Sequence, residues 1–413
     1  MIDVETLIVG AGPAGTAAAI ELARHGHEAL VVDRATFPRD KCCGDGLTAL
    51  ALRELENLGL EPSEVESWRV VDEVVIRAPG GRERRYRLPD GPGYHAAVAR
   101  RTDLDAALVD RAIEAGATVE QGVMLRDVTA DDHAVTAEID GLGTVRARHL
   151  IAADGMWSPV RKALGLRVDG YRGEWHAFRQ YYENVSPRAG NELIVWFEKD
   201  LLPGYAWSFP LADGRANIGF GIQRGGAHAV GDMKQLWPDL LSRPHIREVL
   251  GPDAQPEEPH KAWPIPARVG RVPLVGPHTM FVGDAAAVTD PMTGEGIGQA
   301  LLTGRLAAEA IMGDPESGGR DPVAAYEREV RRELVADDRM ARVLIPLLAR
   351  PLIARGALRL TGATDWTRRN FARWMFEDYP RAMVATPRRW HRGMFAGAGA
   401  FPARSTVSPD GRP

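Results

Sequence analysis

Three glycines form a Gly-x-Gly-x-x-Gly turn, Gly10-Ala-Gly12-Pro-Ala14-Gly15. The first permits a tight turn, the second lets backbone approach a diphosphate, and the third allows a helix to pack closely on a strand. A helix starting there offers unbonded N–H groups and the positive end of its dipole to phosphate oxygens. Asp33, next to Arg34, closes the following apolar run and is placed to accept hydrogen bonds from a ribose. An acid at that position disfavours a 2′-phosphate, so NADP is a poor occupant.

Two further segments choose among dinucleotides. Phe281-Val-Gly283-Asp284-Ala-Ala-Ala follows an apolar run, and Pro291-Met-Thr-Gly294-Glu-Gly296-Ile297-Gly298 then opens a helix. An acid at a strand end can bind ribityl hydroxyls, and a helix N-terminus can present N–H donors to the electron-rich end of a flavin ring. Ala153-Asp154-Gly155-Met-Trp-Ser158-Pro-Val-Arg161 also follows an apolar run, although Asp-Gly by itself is a turn dipeptide. Together these segments point to FAD rather than NAD or FMN.

The elements that must hold these residues follow from pattern. Residues 4–9 read as a buried parallel strand, 14–25 as a helix stopped by Gly26, and 28–33 as a second strand, making a βαβ unit. Helices are expected at 48–58 and 104–114. Short strands are expected at 118–121, 134–139 and 144–147, and another at 149–153. Residues 70–78 and 84–88 flank Pro79-Gly80-Gly81 and read as a hairpin. The aromatic, strand-like stretch 175–222 has turns at Ala189-Gly190, Pro203-Gly204 and Asp213-Gly214, and predicts an antiparallel sheet of its own.

The expected class is α/β. Residues 1–68, 96–170 and 271–315 build a Rossmann-type FAD-binding domain, and 69–95 is a hairpin inserted toward a second domain. Residues 171–270 are an antiparallel-sheet substrate domain, 316–400 a C-terminal helical segment, and 401–413 a disordered tail.

Composition bounds what this architecture serves. With 413 residues, 45% hydrophobic and 26% charged, the chain is an ordinary globular one with more than a single core. A net charge of −5 argues against nucleic-acid binding. The only two cysteines, Cys42 and Cys43, are adjacent, which excludes a disulfide framework and predicts a reducing, cytoplasmic setting. Neither a signal peptide nor a spanning segment is expected. From Arg320 onward there are 18 Arg, no Lys and 10 acidic residues, an excess of +8. With apolar and aromatic residues interleaved, this unit is expected to cover the substrate entrance and touch a membrane surface peripherally. The eleven histidines are scattered and no metal site is expected.

The three motifs, in this order and spacing, resemble the flavoprotein monooxygenase superfamily of the para-hydroxybenzoate hydroxylase type over roughly residues 4–315. The resemblance implies that the Asp154 and Gly283-Asp284 elements both belong to FAD binding. It also implies that Arg101, in Arg101-Thr-Asp-Leu-Asp-Ala-Ala-Leu108, approaches the FAD. Within the superfamily, Lys41-Cys42-Cys43-Gly44-Asp45-Gly46-Leu47 resembles the Lys-Pro-Cys-Gly-Asp-Gly-Leu stretch of the geranylgeranyl reductase family. That match implies a position near the flavin for Cys43, while Cys42 replaces the usual proline. Pro203-Gly204-Tyr205-Ala-Trp207-Ser-Phe209-Pro210 resembles the substrate-pocket motif of the same family. Tyr205, Trp207 and Phe209 alternate along a strand and share one face, which suits an extended apolar substrate. The paired tryptophans of the halogenase branch are missing.

The resemblance therefore implies an enzyme in which reduced FAD hydrogenates carbon–carbon double bonds of an isoprenoid chain, on a lipid, a quinone or a diphosphate. Tyr205 and Cys43 are the candidate proton donors. Hydroxylation of an aromatic or polyketide-like compound is the alternative, halogenation a lesser one, and a non-catalytic flavin-binding protein the least favoured. No second Gly-x-Gly-x-x-Gly is present, so electrons must come from an external donor such as NAD(P)H or a reductase or ferredoxin.

Overall fold

The computed structural model describes residues 1–313, 321–390, 394 and 397–402. The first strand, β1 (Ile2–Val9), ends in a buried Leu7-Ile8-Val9 run suited to a sheet covered on both faces. Helix α1 (Pro13–Arg24) follows directly, with proline at its first position, where a missing N–H costs nothing. Strands β2 (Ala29–Asp33), β8 (Thr118–Gln121), β11 (Gly143–Ala152) and β19 (Thr279–Phe281) run parallel with β1 in the order β19-β11-β1-β2-β8. An edge strand β18 (Val275–Gly276) is antiparallel to β19.

The two short strands expected at 144–147 and 149–153 are a single strand, β11. One edge of β11 serves two partners in turn: β10 (Val135–Ile139) pairs with Gly143–Ala147, and β19 with Leu150–Ala152. The additional strand β9 (Leu125–Ala130) pairs with β10. Helices α1, α3 (Arg101–Glu114) and α8 (Ile297–Met312) pack on this sheet, with α2 (Ala49–Asn57) against α8 and the short α4 (Pro159–Ala163) beyond β11. Their core includes Leu7, Ile20, Val31, Leu104, Leu150, Phe281 and Leu301.

The second sheet has the order β16-β12-β15-β14-β13-β5-β6. Its members are β5 (Glu73–Arg77), β6 (Glu83–Arg87), β12 (Trp175–Glu183), β13 (Leu193–Trp196), β14 (Tyr205–Pro210), β15 (Ala216–Gln223), β16 (Gln255–Pro256) and β17 (Lys261–Ile265), the last pairing with β12. It is not antiparallel throughout: the hairpin β5–β6 joins it through a parallel pair, β13 with β5. The chain reaches β5 from the parallel-sheet domain and β13 from within the second sheet, so no hairpin turn dictates their sense. Ala189-Gly190 is not a plain turn. It lies in α5 (Pro187–Asn191), where Ser186 Oγ accepts from the Arg188 and Ala189 N–H groups and Pro187 starts the helix. Helices α6 (Met233–Ser242) and α7 (Pro244–Leu250) cover the outer face through Trp237, Leu240, Ile246 and Val249. A small sheet of β3 (Gly46–Thr48), β4 (Arg69–Val70) and β7 (Ala96–Val98) joins the two halves.

Beyond α8 the described residues form α9 (Pro322–Leu348), α10 (Pro351–Thr361) and α11 (Asp365–Met375). The first half of α9 belongs to the core of the parallel-sheet domain through Tyr326, Val330 and Leu334, so a boundary near residue 316 divides one packed unit. The disordered tail expected from 401 begins too early. Phe401 is buried at 5% exposure beside Trp68 and Tyr94, and Ala400 pairs with Tyr94. Residues 403–413 of that expected tail lie outside the described residues. No helix among the described residues is long and apolar enough to cross a membrane.

Candidate functional site

The two sheets face each other across one cavity of about 1120 Å³. Single-ligand sites run to roughly 300–1,000 Å³, so this one has room for a large cofactor and a substrate together. Of the residues singled out above, Gly10, Gly12, Ala14, Asp33, Arg34, Cys43, Gly44, Arg101, Asp154, Gly283, Asp284, Pro291, Gly294, Gly296, Ile297, Tyr205, Trp207 and Phe209 all line it. Gly15 does not. It lies behind the wall, where an added Cβ would sit 1.8 Å from Gly10 O, and so secures the strand–helix contact.

The turn after β1 fits the diphosphate of FAD. Gly10 has φ +105°, and a Cβ there would lie 2.3 Å from Ala153 O. Gly12 is the N-cap of α1 and brings no side chain to occupy the N–H groups behind it. Its Cβ position meets only Arg39 Nη2, at 3.6 Å, so the space in front of the helix end is open and flanked by a cation. Arg39 was not apparent in the sequence as a site residue. Its guanidinium is fixed by Asp105, which takes 2.7 Å hydrogen bonds from Arg39 Nη1 and from Arg101 Nε and Nη2. Arg101 is buried at 7% exposure, so it is not a solvated helix arginine. Asp33 accepts from Ala11 N–H (2.7 Å) and Ala35 N–H (2.8 Å), which fixes the carboxylate at the cavity wall with lone pairs to spare.

Beside the start of α1, where a Cβ on Gly283 would lie 3.2 Å from Ala14 Cβ, Asp284 follows β19 and faces Lys41 Nζ at 3.8 Å. Lys41 also stacks 3.5 Å over the Trp263 ring, and burial, with Arg101 nearby, pushes its pKa down. Asp154 Oδ2 accepts from Val160 N–H (2.9 Å), and burial raises its carboxyl to about 6. Helix α8 begins at the same cavity, with Gly296 as an N-cap that brings no capping side chain of its own. The loop before it is held from three directions. Tyr205 donates its hydroxyl to Thr293 O, Arg381 Nη2 reaches Thr293 Oγ1, and Asp290 Oδ2 accepts from Thr293 N–H.

The apolar end is aromatic. Tyr205, Trp207 and Phe209 lie along β14 with ring centroids 5.9 and 6.1 Å apart. Trp207 Nε1 donates to Asn217 Oδ1, and Asn217 Nδ2 donates to Asp45 Oδ2 and to Cys43 O, tying this strand to the Cys43 loop. Asp45 is wholly buried in a left-handed conformation, φ +65°, and also accepts from Tyr181 Oη. Burial raises its carboxyl to about 6. Ile345, Leu348, Ala354, Leu358, Phe371 and Trp374 of α9–α11 close the same end.

The candidate proton donors differ in what they can do. Burial raises the Cys43 thiol to about 12, so it stays a thiol near neutrality. Burial and the nearby Glu295 push Tyr205 above the ordinary phenol range, and its proton is already committed to Thr293 O. The acids Glu295 and Glu377 in the same neighbourhood carry no signal in the sequence: Glu295 lies inside a glycine motif whose spacing says nothing of its side chain, and Glu377 lies far downstream in the C-terminal helical unit.

Comparison with known proteins agrees with this geometry. The model of the family described as FAD binding domain matches residues 3–332. The chain is 35% identical over 391 residues to a menaquinone reductase of Mycolicibacterium smegmatis, spanning 88% of this chain and 89% of that one. It is 35% identical over 335 residues to digeranylgeranylglycerophospholipid reductase 2 of Methanopyrus kandleri, spanning 76% and 80%. The crystal structure of a geranylgeranyl bacteriochlorophyll reductase-like protein from Thermoplasma acidophilum superposes with a TM-score of 0.75 at 22% identity, over 94% of this chain and all of that one, which establishes the shared fold.

Proposed function

The chain belongs to the FAD binding domain family and is an FAD-dependent oxidoreductase, and from that premise we propose that it hydrogenates carbon–carbon double bonds of a polyisoprenoid chain carried on a quinone or lipid. The observation that carries the reading is one cavity lined both by the Gly10–Ala14 turn, Asp33 and Asp284 and by the aromatic strand β14 with apolar residues of α9–α11. The compounds named for the two relatives share a polyisoprenoid tail, and that tail is what such a wall accommodates.

Bound FAD supplies hydride chemistry from its reduced ring. The residues of this chain hold, orient and shield. The start of α1 with Arg39 would hold the diphosphate, Asp33 the ribose, and Asp284 the ribityl chain. The free N–H groups at the start of α8 would serve the flavin ring. Tyr205, Trp207 and Phe209 align the isoprenoid, and Leu348, Leu358 and Phe371 keep water from it. An unactivated alkene has no carbonyl to polarise, so orientation and proton placement carry the rate.

Electrons come from an external donor, NAD(P)H or a reductase or ferredoxin. The substrate reaches the site from a lipid surface through the C-terminal unit. Leu352, Leu360 and Trp366 are 76%, 73% and 72% exposed, while Ala354 and Leu358 of helix α10 line the cavity. Exposed Arg350, Arg355 and Arg359 flank this face and suit anionic lipid.

Pre-reducing the flavin anaerobically and adding a polyisoprenoid quinone or lipid tests the reading. Reoxidation without oxygen, with a product two hydrogens heavier, supports it. A strict requirement for oxygen would favour hydroxylation instead. Flotation with anionic vesicles at low salt checks the membrane contact, which fails if the protein stays unbound.

A further inference from the structure

The reduction adds two hydrogens to an alkene. Cys43 holds its proton too tightly, and Tyr205 gives its own to a backbone carbonyl. A third acid lines the same cavity. Glu295 stands at the mouth of α8, in the loop that Tyr205 and Arg381 clamp. Its two hydrogen bonds, from Gly296 N–H (3.2 Å) and Ile297 N–H (3.1 Å), both go to one oxygen, Oε1. The C-terminal unit brings Glu377 to the same place. The Glu377 side chain is 9% exposed. Its backbone is left-handed (φ +57°), and its carboxylate accepts from Thr48 Oγ1 (2.9 Å) and Gln299 Nε2 (2.6 Å).

We propose that the Glu295 carboxyl is the proton source of the alkene reduction, and that Glu377 is the positioning residue that keeps it supplied with a proton. The inference rests on the alkene-reduction reading above. One alkene carbon takes a hydride, with both electrons, from reduced flavin. The other takes the Glu295 proton. The π bond is lost, two C–H bonds form, the flavin is left oxidised, and the Glu295 carboxylate regains its proton from water.

The groups facing Glu295 favour this assignment. Glu377 and Asp290 are acids, Cys43 and Tyr205 stay neutral, and the nearby cation, Arg381, is shared between Asp290 (3.3 Å) and Glu377 (3.4 Å). Burial, then the charge of Glu377, raises Glu295 to about 8. The carboxyl is therefore protonated at neutral pH yet a far stronger acid than Cys43 or Tyr205. A general acid poised near working pH contributes typically ~10²–10⁴-fold to rate.

Glu295→Gln keeps the helix cap and the shape but has no proton to give. The variant is expected to retain FAD occupancy, melting temperature and KM for the isoprenoid, and to lose about 100-fold or more in the anaerobic reoxidation rate. The wild-type rate should fall above pH about 8, and this limb should vanish in Glu295→Gln. Infrared difference spectra of the FAD-loaded protein, taken on either side of that midpoint, should show a protonated carboxyl in wild type that Glu295→Gln lacks.

Glu377→Gln removes the neighbouring charge, so both the rate limb and the infrared titration should move to lower pH. A Glu295→Gln rate within about threefold of wild type, or an alkaline limb unmoved in Glu377→Gln, overturns the proposal while leaving alkene reduction intact. Absence of anaerobic reoxidation in wild type overturns both. If Glu295→Gln fails to hold FAD, the Glu377→Gln shift alone decides, since its presence supports the assignment and its absence refutes it.

Discussion

The two walls of the cavity differ in how they are assembled. The glycine-turn wall is local: β1, the Gly10–Gly15 turn, α1 and β2 follow one another directly between Ile2 and Asp33, and Gly10 and Gly15 act on the adjoining Ala153 or on each other. The aromatic wall is a composite. Its floor is β14, its link to the cofactor loop is Tyr205 with Arg381, and its lid comes from α9–α11, which the chain reaches only after completing the nucleotide sheet. A local wall fails at single positions through steric conflict. A composite wall fails gradually, through loss of the ties that dock its parts.

Substitutions at two glycines of one turn give the largest contrast. Gly15→Val should prevent folding, because its Cβ would overlap Gly10 O. Gly12→Val should fold and lose FAD, because its Cβ meets nothing nearer than Arg39 but enters the diphosphate space. Far-UV circular dichroism and flavin absorbance separate the two outcomes. A Gly12→Val protein that stays fully yellow contradicts the assignment of this turn.

Arg381→Met tests the composite wall. It removes a buried guanidinium that lies against Asp290 and Glu377 and reaches Thr293. Breaking one side of a buried ion pair costs about 3–5 kcal/mol. The loss should appear as a lower melting temperature and as faster hydrogen exchange in α11 and residues 290–296, with β1 and α1 unaffected. Uniform exchange changes would show that the two walls are not separable.

A smaller effect comes from pH. Burial raises Glu295 to about 8 and Glu377 to about 7. These carboxyls bind protons more tightly folded than unfolded, so their contribution is present at low pH and is lost as pH rises through the folded values. Each weakens stability by at most about 1.4 kcal/mol per pH unit in that window. His95, His149 and His176 have lowered values, chiefly through burial, and act in the opposite sense below the ordinary histidine range. The melting temperature should therefore decline between pH about 6.5 and 8.5, and the decline should be shallower in Glu377→Gln. A melting temperature that rises over this interval would show that other groups dominate.

The smallest effect on stability is expected at the outer face of the lid. Leu352→Asp with Leu360→Asp changes exposed positions, so the fold should lose within about 0.5 kcal/mol per site. Flotation with anionic vesicles should nevertheless be abolished. Unchanged flotation would detach this surface from membrane contact.

The sequence by itself determined the strand–turn–helix–strand unit that carries Gly10, Gly12, Gly15 and Asp33, because a turn between a strand and a helix is a problem solved within a short stretch of chain. The alternation of Tyr205, Trp207 and Phe209 likewise declared a shared face, since side chains on a strand alternate by geometry. Other features were decided only by tertiary structure. Nothing local says that Asp105 steers both Arg39 and Arg101, that β5 lies parallel to β13, or that Phe401 is buried against Trp68. Glu295 and Glu377 carry no signal in their neighbours, because their proton affinity is set by burial and by the charges that distant parts of the chain bring to them. Desolvation and charge act through space, and only the packed chain fixes which groups share it.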